Sequence, residues 1–353
     1  MFRHGPVSAS SDDVGEADRL SRPAMDVTIW DIDFRHCPRW FRYDPIVRRP
    51  IRAVLDRVRP ARATGLKKVG RNLRLGLSRI GVSVDWVTAV RRPPRDGGWG
   101  IVNGPLELLR NPLQVRPSVT GPGLLSWPME CPELFATTRI RRHLAASAWM
   151  ADLCRAHLGG DIGIWPLGIE TDRFVPERKT TPFSVLVYDK VHLYLDKVPE
   201  VVGLTEHVCA VLGALDVPYT VIRYGAYLED EYIRRLAEAH AVVFLSQHET
   251  QGVALMEAMS CNLPILAWNP GRVLEESVLH STPVCPIPAS AIPYFSPECG
   301  DSFATAASFE AKARAFIRRC GHGEYQPRPY VVDNFSLESS ARHYLEHLSC
   351  SLG

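Results

Sequence analysis

The stretch AVVFLSQHETQGVALMEAMSCNLPILAWN, residues 241–269, runs through strand, loop, helix and strand in succession. AVVFLS (241–246) is short, uncharged and rich in β-branched and aromatic residues, the pattern of a strand buried on both faces. VALMEAMSC (253–261) has the spacing of a helix, and PILAWN (264–269) is a second buried strand. Gly252 stands where the loop must turn sharply into the helix, and its missing Cβ lets a ligand come close. The N–H groups of Gly252, Val253 and Ala254 have no partner within the helix, which makes this turn a site for an anion such as a diphosphate. Asn262 follows the helix at its left-handed cap, in the place usually taken by glycine. Two carboxylates with seven residues between them frame the turn. Glu249, in the loop, can accept hydrogen bonds from sugar hydroxyls. Glu257, one turn into the helix, can accept two from a ribose diol. Gln251, beside Gly252, belongs to the same loop and is counted with the ligand-binding positions.

The alternation extends outward in both directions. Toward the end of the chain a helix is expected over about Ser336 to Leu348. Toward its start come DEYIRRLAEA (230–239, helix), YTVIRYG (219–225, strand), EVVGLTEHVCAVLGAL (200–215, helix) and FSVLVYD (183–189, strand). The polar stretch from Thr171 to Pro182 reads as a linker. Before it lie IGIWPL (162–167, strand), RRHLAASAWMADLCRAHL (141–158, helix) and three short apolar runs expected as strands: GLLSW (123–127), GIVNG (100–104) and VDWVTAV (84–90). Leu73, Leu77 and Ile80 suggest a helix closed by Gly81, and VTIWDIDF (27–34) a first buried strand. Strands alternating with helices imply parallel sheets with helical crossovers. The expectation is an α/β protein of two successive doubly wound, Rossmann-like halves facing a cleft, with ligands at the carboxyl ends of the strands. The boundaries expected are a disordered extension over 1–24, a first Rossmann-like domain over 25–176, a second, ligand-binding Rossmann-like domain over 177–335 and a last helix over 336–353.

The loop and helix around Gly252 resemble the retaining glycosyltransferases of the GT4-like group (glycosyltransferase group 1), whose mark is E-x7-E with an internal Gly, an EAM-type helix and a following Pro. Here these are Glu249, Gly252, Glu257-Ala258-Met259 and Pro264. WPLGIETDRF (165–174) and YGAYLEDEYIRRLAEAHAVVFLSQHE (224–249) resemble the flanking motifs of the same family, in the same order. The resemblance implies the GT-B fold and transfer of a sugar from a nucleotide-diphosphate donor to a glycan or lipid-linked acceptor, with retention. It implies that Glu249 acts at the donor sugar, as the catalytic position, and that Glu257 holds the ribose. It also implies cations for the diphosphate after the first strand of the second half. Lys190 is in place there, the customary Arg is absent, and Arg223, at the end of the next strand, is the second candidate. A sugar-nucleotide epimerase and a non-catalytic sugar-nucleotide-binding protein remain open as alternatives.

Asp31-Ile32-Asp33 spells DxD, a metal-binding pattern in another glycosyltransferase fold, but it closes the first strand, ahead of any nucleotide-binding unit. No metal or other cofactor is therefore expected. Asp33, His36 and Glu130 are candidates on the acceptor side. GxGxxG after a strand, GxSxG and the P-loop are all missing.

Net charge is only +2, but residues 1–176 carry 27 basic and 18 acidic side chains, whereas the remainder is acidic. Between Arg35 and Arg79 fourteen Lys and Arg face only Asp44 and Asp56. Val47, Ile51, Val54, Leu55 and Val58 follow helical spacing within that segment, beside Trp40, Phe41 and Tyr43, a combination suited to an anionic membrane surface. It lies in no nucleic-acid-binding module, so nucleic acid is not an expected partner. Nine scattered cysteines without a CxxC pair fit a reducing compartment. No apolar signal segment opens the chain, and the uncharged run before Glu298 holds Pro283, Pro286, Pro288, Pro293 and Pro297, which exclude a spanning helix there. A cytoplasmic protein, peripheral on the inner face of a membrane, is the expectation.

Overall fold

The computed structural model describes residues 27–32, 65–88, 98–104, 106, 119–138, 140–280, 282 and 286–350. Asp33, His36, the basic segment over 35–64 and the expected extension over 1–24 lie outside these.

The first sheet is built in the order β1 (Val27–Asp31), α1 (Gly65–Arg79), β2 (Val84–Val87), β3 (Gly98–Asn103), β4 (Val119–Gly123), a 3-10 turn (Pro128–Glu130), α2 (Leu134–Thr137), β5 (Arg142–Ala145), α3 (Ala148–Leu158) and β6 (Asp161–Ile164). Its six strands are all parallel, in the spatial order β2-β1-β3-β4-β5-β6. The second follows as β7 (Val185–Asp189), α4 (Leu204–Ala214), β8 (Tyr219–Arg223), α5 (Glu229–Glu238), β9 (Ala241–Leu245), α6 (Val253–Ser260), β10 (Ile265–Trp268), α7 (Glu276–Leu279) and β11 (Gly300–Phe303), then α8 (Phe309–Gly321), α9 (Pro327–Phe335) and α10 (Leu337–Cys350). Its five strands are parallel in the order β11-β10-β9-β7-β8.

Why the second sheet's strands are continuous apolar runs is visible in their packing. Val185, Val187, Val243, Leu245, Leu266 and Trp268 enter the core on one face. Leu186, Tyr188, Val242, Phe244, Ile265 and Ala267 enter the core on the other. Alternate residues point to opposite faces, and both faces are covered. From β7 the chain steps outward to β8, then returns to the other flank for β9, so strand order reverses between β7 and β9. The carboxyl ends of these two strands form the crevice where such folds place their ligands. Lys190 and Glu249 both lie there, and the Lys190 amide bonds the Leu245 carbonyl at 2.9 Å.

Two sequence expectations are corrected. GLLSW (123–127) is not a strand: β4 ends at Gly123, because the strand is the Gly- and Pro-containing VTGPG, whose composition hides it. RRHLAASAWMADLCRAHL (141–158) is not one helix: RHLA (142–145) is β5, and Ser147, extended at φ −156° and ψ 167°, separates it from α3. The left-handed cap after α6 is present, with Asn262 at φ 58° and the Leu263 amide bonding the Ala258 carbonyl at 3.2 Å.

The last helix returns to the first sheet. Phe335 still belongs to the second core, whereas Ala341, Tyr344 and Leu348 of α10 join Leu73, Leu77 and Trp165 in the first. Gly76 permits this approach: a Cβ there would stand 2.3 Å from the Leu337 carbonyl oxygen. The crossover is pinned at Ile169, whose amide bonds the Phe335 carbonyl at 2.8 Å. Arg328 adds to the pin by donating to the carbonyls of Phe174 at 2.9 Å and Thr171 at 3.1 Å.

Candidate functional site

Between the two sheets opens a cavity of ≈ 660 Å³, a volume typical of small-molecule sites. Gly65, Lys68 and the turn after β4 line one wall; Lys190, Tyr224, Tyr227, Glu229 and the segment His248 to Ala254 line the other. Gly252 caps α6 with φ 79°, so the sharp turn expected at this glycine is present and left-handed, and the helix opens onto the cavity.

Glu249 is nearly buried, and its Oε1 accepts from the Lys190 ammonium at 2.8 Å and from the Ser246 hydroxyl at 2.8 Å. Its carbonyl accepts the Trp149 indole N–H at 2.9 Å, and its amide donates to the Ser290 carbonyl at 2.8 Å. Burial works to lower the Lys190 pKa, but the charge and hydrogen bond of Glu249 outweigh it and hold the ammonium above its ordinary range. The ammonium also lies 5.1 Å from the Tyr224 ring centre.

Glu257 is 2% exposed and pairs with Lys68, which reaches across the cleft from α1. Burial lifts its carboxyl pKa to about 7, Lys68 pulls the other way, and Glu229 and Glu170 add to the rise. Glu229 shares the same ammonium at 3.0 Å and meets Arg173 at 2.9 Å. Burial opposes ionisation of Glu229, yet these two cations bring its pKa below the usual carboxylate value.

The other candidates divide. Gln251 lines the cavity, and its side chain is engaged by the first half: the carbonyl oxygen accepts the Leu167 amide at 2.7 Å and the amide nitrogen donates to the Leu167 carbonyl at 2.7 Å. Arg223 is not in the cavity wall. Its side chain is 58% exposed at the sheet edge and pairs with Asp189 at 3.3 Å. Glu130 does reach the cavity, though from the 3-10 turn rather than a strand end, and accepts the Ser126 amide at 3.0 Å. Asp31 accepts from the Asn103 side chain at 2.8 Å and packs so closely on Gly70 that a Cβ there would fall 1.8 Å from its carboxylate oxygen.

Sequence reasoning missed several residues of the site. Lys68 and Glu229 were hidden because their partner Glu257 is remote in the chain. Tyr188, Tyr224, Tyr227 and Tyr232 form an aromatic wall, tied by a 2.8 Å Tyr188–Tyr227 hydroxyl contact and by a 2.6 Å bond from Tyr232 to the Ala254 carbonyl. Opposite, His248 packs against Trp127 and Trp149 at centroid distances of 5.4 and 5.8 Å. Burial lowers the His248 pKa to about 3, helped by the Lys190 charge, and burial lowers that of His143 in β5 to about 4, so both rings are neutral near pH 7.

Residues 214–282 match the family described as glycosyl transferases group 1. The sucrose-phosphate synthase of Thermosynechococcus elongatus superposes with a TM-score of 0.53 at 12% identity, covering 92% of this chain and 100% of that one. WaaG, a glycosyltransferase involved in lipopolysaccharide biosynthesis, gives 0.46 at 11% identity, covering 91% and 95%. The GtfA/B complex gives 0.42 at 14% identity, covering 60% and 46%. The chain thus spans about half the length of the GtfA/B chain, and 54% of TarM. No curated protein matches the sequence. At these identities the structural likeness is one of fold, the two-domain GT-B arrangement. The match spans the segment that carries Glu249, Gly252 and Glu257.

Proposed function

We propose that this group 1, GT-B chain transfers a sugar from a nucleotide-diphosphate donor, bound against α6, to a glycan or lipid-linked acceptor entering from the side of the first sheet. One observation carries the reading: a cavity between two parallel sheets whose wall brings the start of α6, Glu249 with Lys190, and Glu257 into one space. In this assignment the N–H groups of Gly252, Val253 and Ala254 and the Lys190 ammonium take the diphosphate. Glu257 holds the ribose hydroxyls, and Glu249, oriented by Ser246 and Lys190, orients the donor sugar. Fixed donors of this kind stabilise the departing phosphate without reorganising, and the cleft aligns the two substrates. The departing phosphate oxygen then takes the proton of the incoming hydroxyl on the same face of the sugar, so that the anomeric configuration is retained. The reading invokes no divalent metal.

The test is a thermal-shift screen with UDP, GDP, ADP and their sugars, since a ligand that binds only the folded chain raises its melting point. One base should stand out, and Glu257→Ala should weaken that ligand by roughly 1.5–3 kcal/mol, the scale of hydrogen bonds to a charged group. No shift with any of the nucleotides, or undiminished affinity in a folded Glu257→Ala protein, overturns the reading.

A further inference from the structure

We propose that Lys68, reaching across the cleft from the first sheet's α1, is the second cation that receives the donor's diphosphate; the proposal rests on the donor reading above. The Lys68 ammonium contacts Glu257, lies 3.0 Å from Glu229 and sits 5.4 Å from the Phe174 ring centre, with a side chain only 9% exposed. Two carboxylates occupy two of its three donors, and among the described residues no other hydrogen-bond acceptor takes the third, which can serve a further oxygen. Lys68 also lies in the first turn of α1, a turn with no acidic residue, where the helix dipole disfavours a cation. A charge placed against a local rule marks a position kept for something other than helix stability. Gly65, the first described residue of that helix, shares the cavity wall with Gly252.

The charge balance of the cavity points the same way. Among the described residues lining it, Lys68 and Lys190 stand against Glu130, Glu229, Glu249 and Glu257. A nucleotide diphosphate adds about two negative charges to a wall already short of positive ones. Lys190 is held by Glu249, and Arg223 by Asp189 outside the cavity. When the ribose diol takes the Glu257 carboxylate, the ammonium exchanges that partner for a phosphate oxygen and keeps Glu229. Only hydrogen-bond partners change, and no covalent bond is made or broken.

The test is calorimetric titration of wild type, Lys68→Met and Lys68→Arg with UDP, GDP and ADP and with uridine, guanosine and adenosine. For the base that binds, wild type should prefer the diphosphate to the nucleoside. Lys68→Met should lower diphosphate affinity at least tenfold while nucleoside affinity stays within twofold, and Lys68→Arg should keep most of the preference. Because Lys68→Met strands a buried carboxylate, the double variant Lys68→Met/Glu257→Gln is measured beside it, with a melting curve for each. It too should lose the ratio of diphosphate to nucleoside affinity. Diphosphate binding that is unchanged or tighter in Lys68→Met would make the lysine a plug on Glu257 and overturn the proposal. Should wild type bind none of the six compounds, the donor reading itself falls, a result distinct from a lost preference in the variant alone.

Discussion

Replacing Glu257 by Gln removes one proton-binding group at almost constant volume. In the folded chain burial raises this carboxyl from 4.5 to about 7, against the pull of Lys68. Unfolded, it returns to the ordinary value. A raised folded pKa means that the folded chain binds the proton more tightly, so protonation of Glu257 favours folding fully below about pH 4.5, and that contribution fades as pH climbs through 7. Integrated from pH 5 to pH 8, the wild type loses about 2–3 kcal/mol from this one group, and the Gln variant loses none of it. At about 2–4 °C per kcal/mol for a domain of this size, the melting point of Glu257→Gln relative to wild type should rise by about 4–10 °C across that window. Scanning fluorimetry of both proteins at pH 5, 6, 7 and 8 reads the effect, and titrating groups that do not interact with Glu257 cancel in the difference. A difference in melting point that does not change with pH refutes the reasoning, because Glu257 would then titrate as an ordinary surface carboxylate.

Gln251→Ala should lower stability by about 2–3 kcal/mol, since it leaves the buried Leu167 amide and carbonyl without partners; an unchanged urea midpoint would show that the two halves do not depend on this contact. Transfer activity should survive EDTA, and activity that is lost on chelation and restored by magnesium or manganese would return the DxD to consideration. The basic segment should carry the protein onto anionic vesicles at low salt and release it at high salt, because each basic residue near an anionic surface adds about 1 kcal/mol and salt screens it. Replacing Arg48, Arg49, Arg52 and Arg57 by Gln should abolish sedimentation, and equal binding to neutral vesicles would retire the membrane reading.

The second sheet was legible because its signals are local. Strands buried on both faces leave unbroken apolar runs, Gly252 and Asn262 mark the two ends of one helix, and Glu249 and Glu257 flank the turn. Where structure depends on distant partners, the sequence was silent. Lys68 meets Glu257 at a separation of 189 residues, and no pattern around either residue announces the other. The only local sign was a cation in a helix's first turn, submerged in a run of fourteen basic residues. Strand β4 was misplaced because Gly121 and Pro122 weaken its pattern, and β5 was absorbed into a helix because RHLA adjoins helix-forming residues without a turn signal. Arg223 depends on distant packing in another way: β8 is an edge strand, and its side chain pairs with Asp189 rather than lining the cavity.

The return of α10 to the first sheet sets an order on the protein's birth at the ribosome. Trp165 donates its indole N–H to the Ser340 carbonyl at 3.0 Å and packs on Tyr344 at 4.9 Å, so its shelter is made of residues translated much later. At about 5–20 residues per second, the roughly 180 residues from Leu167 to Leu348 take about 10–40 s to emerge. Throughout that interval the nascent first sheet leaves Leu73, Leu77 and Trp165 without the cover of α10, while β7 to β11 can already close their own two cores. The half of the protein made first is therefore finished last, and in a living cell it is the half that a chaperone has reason to hold.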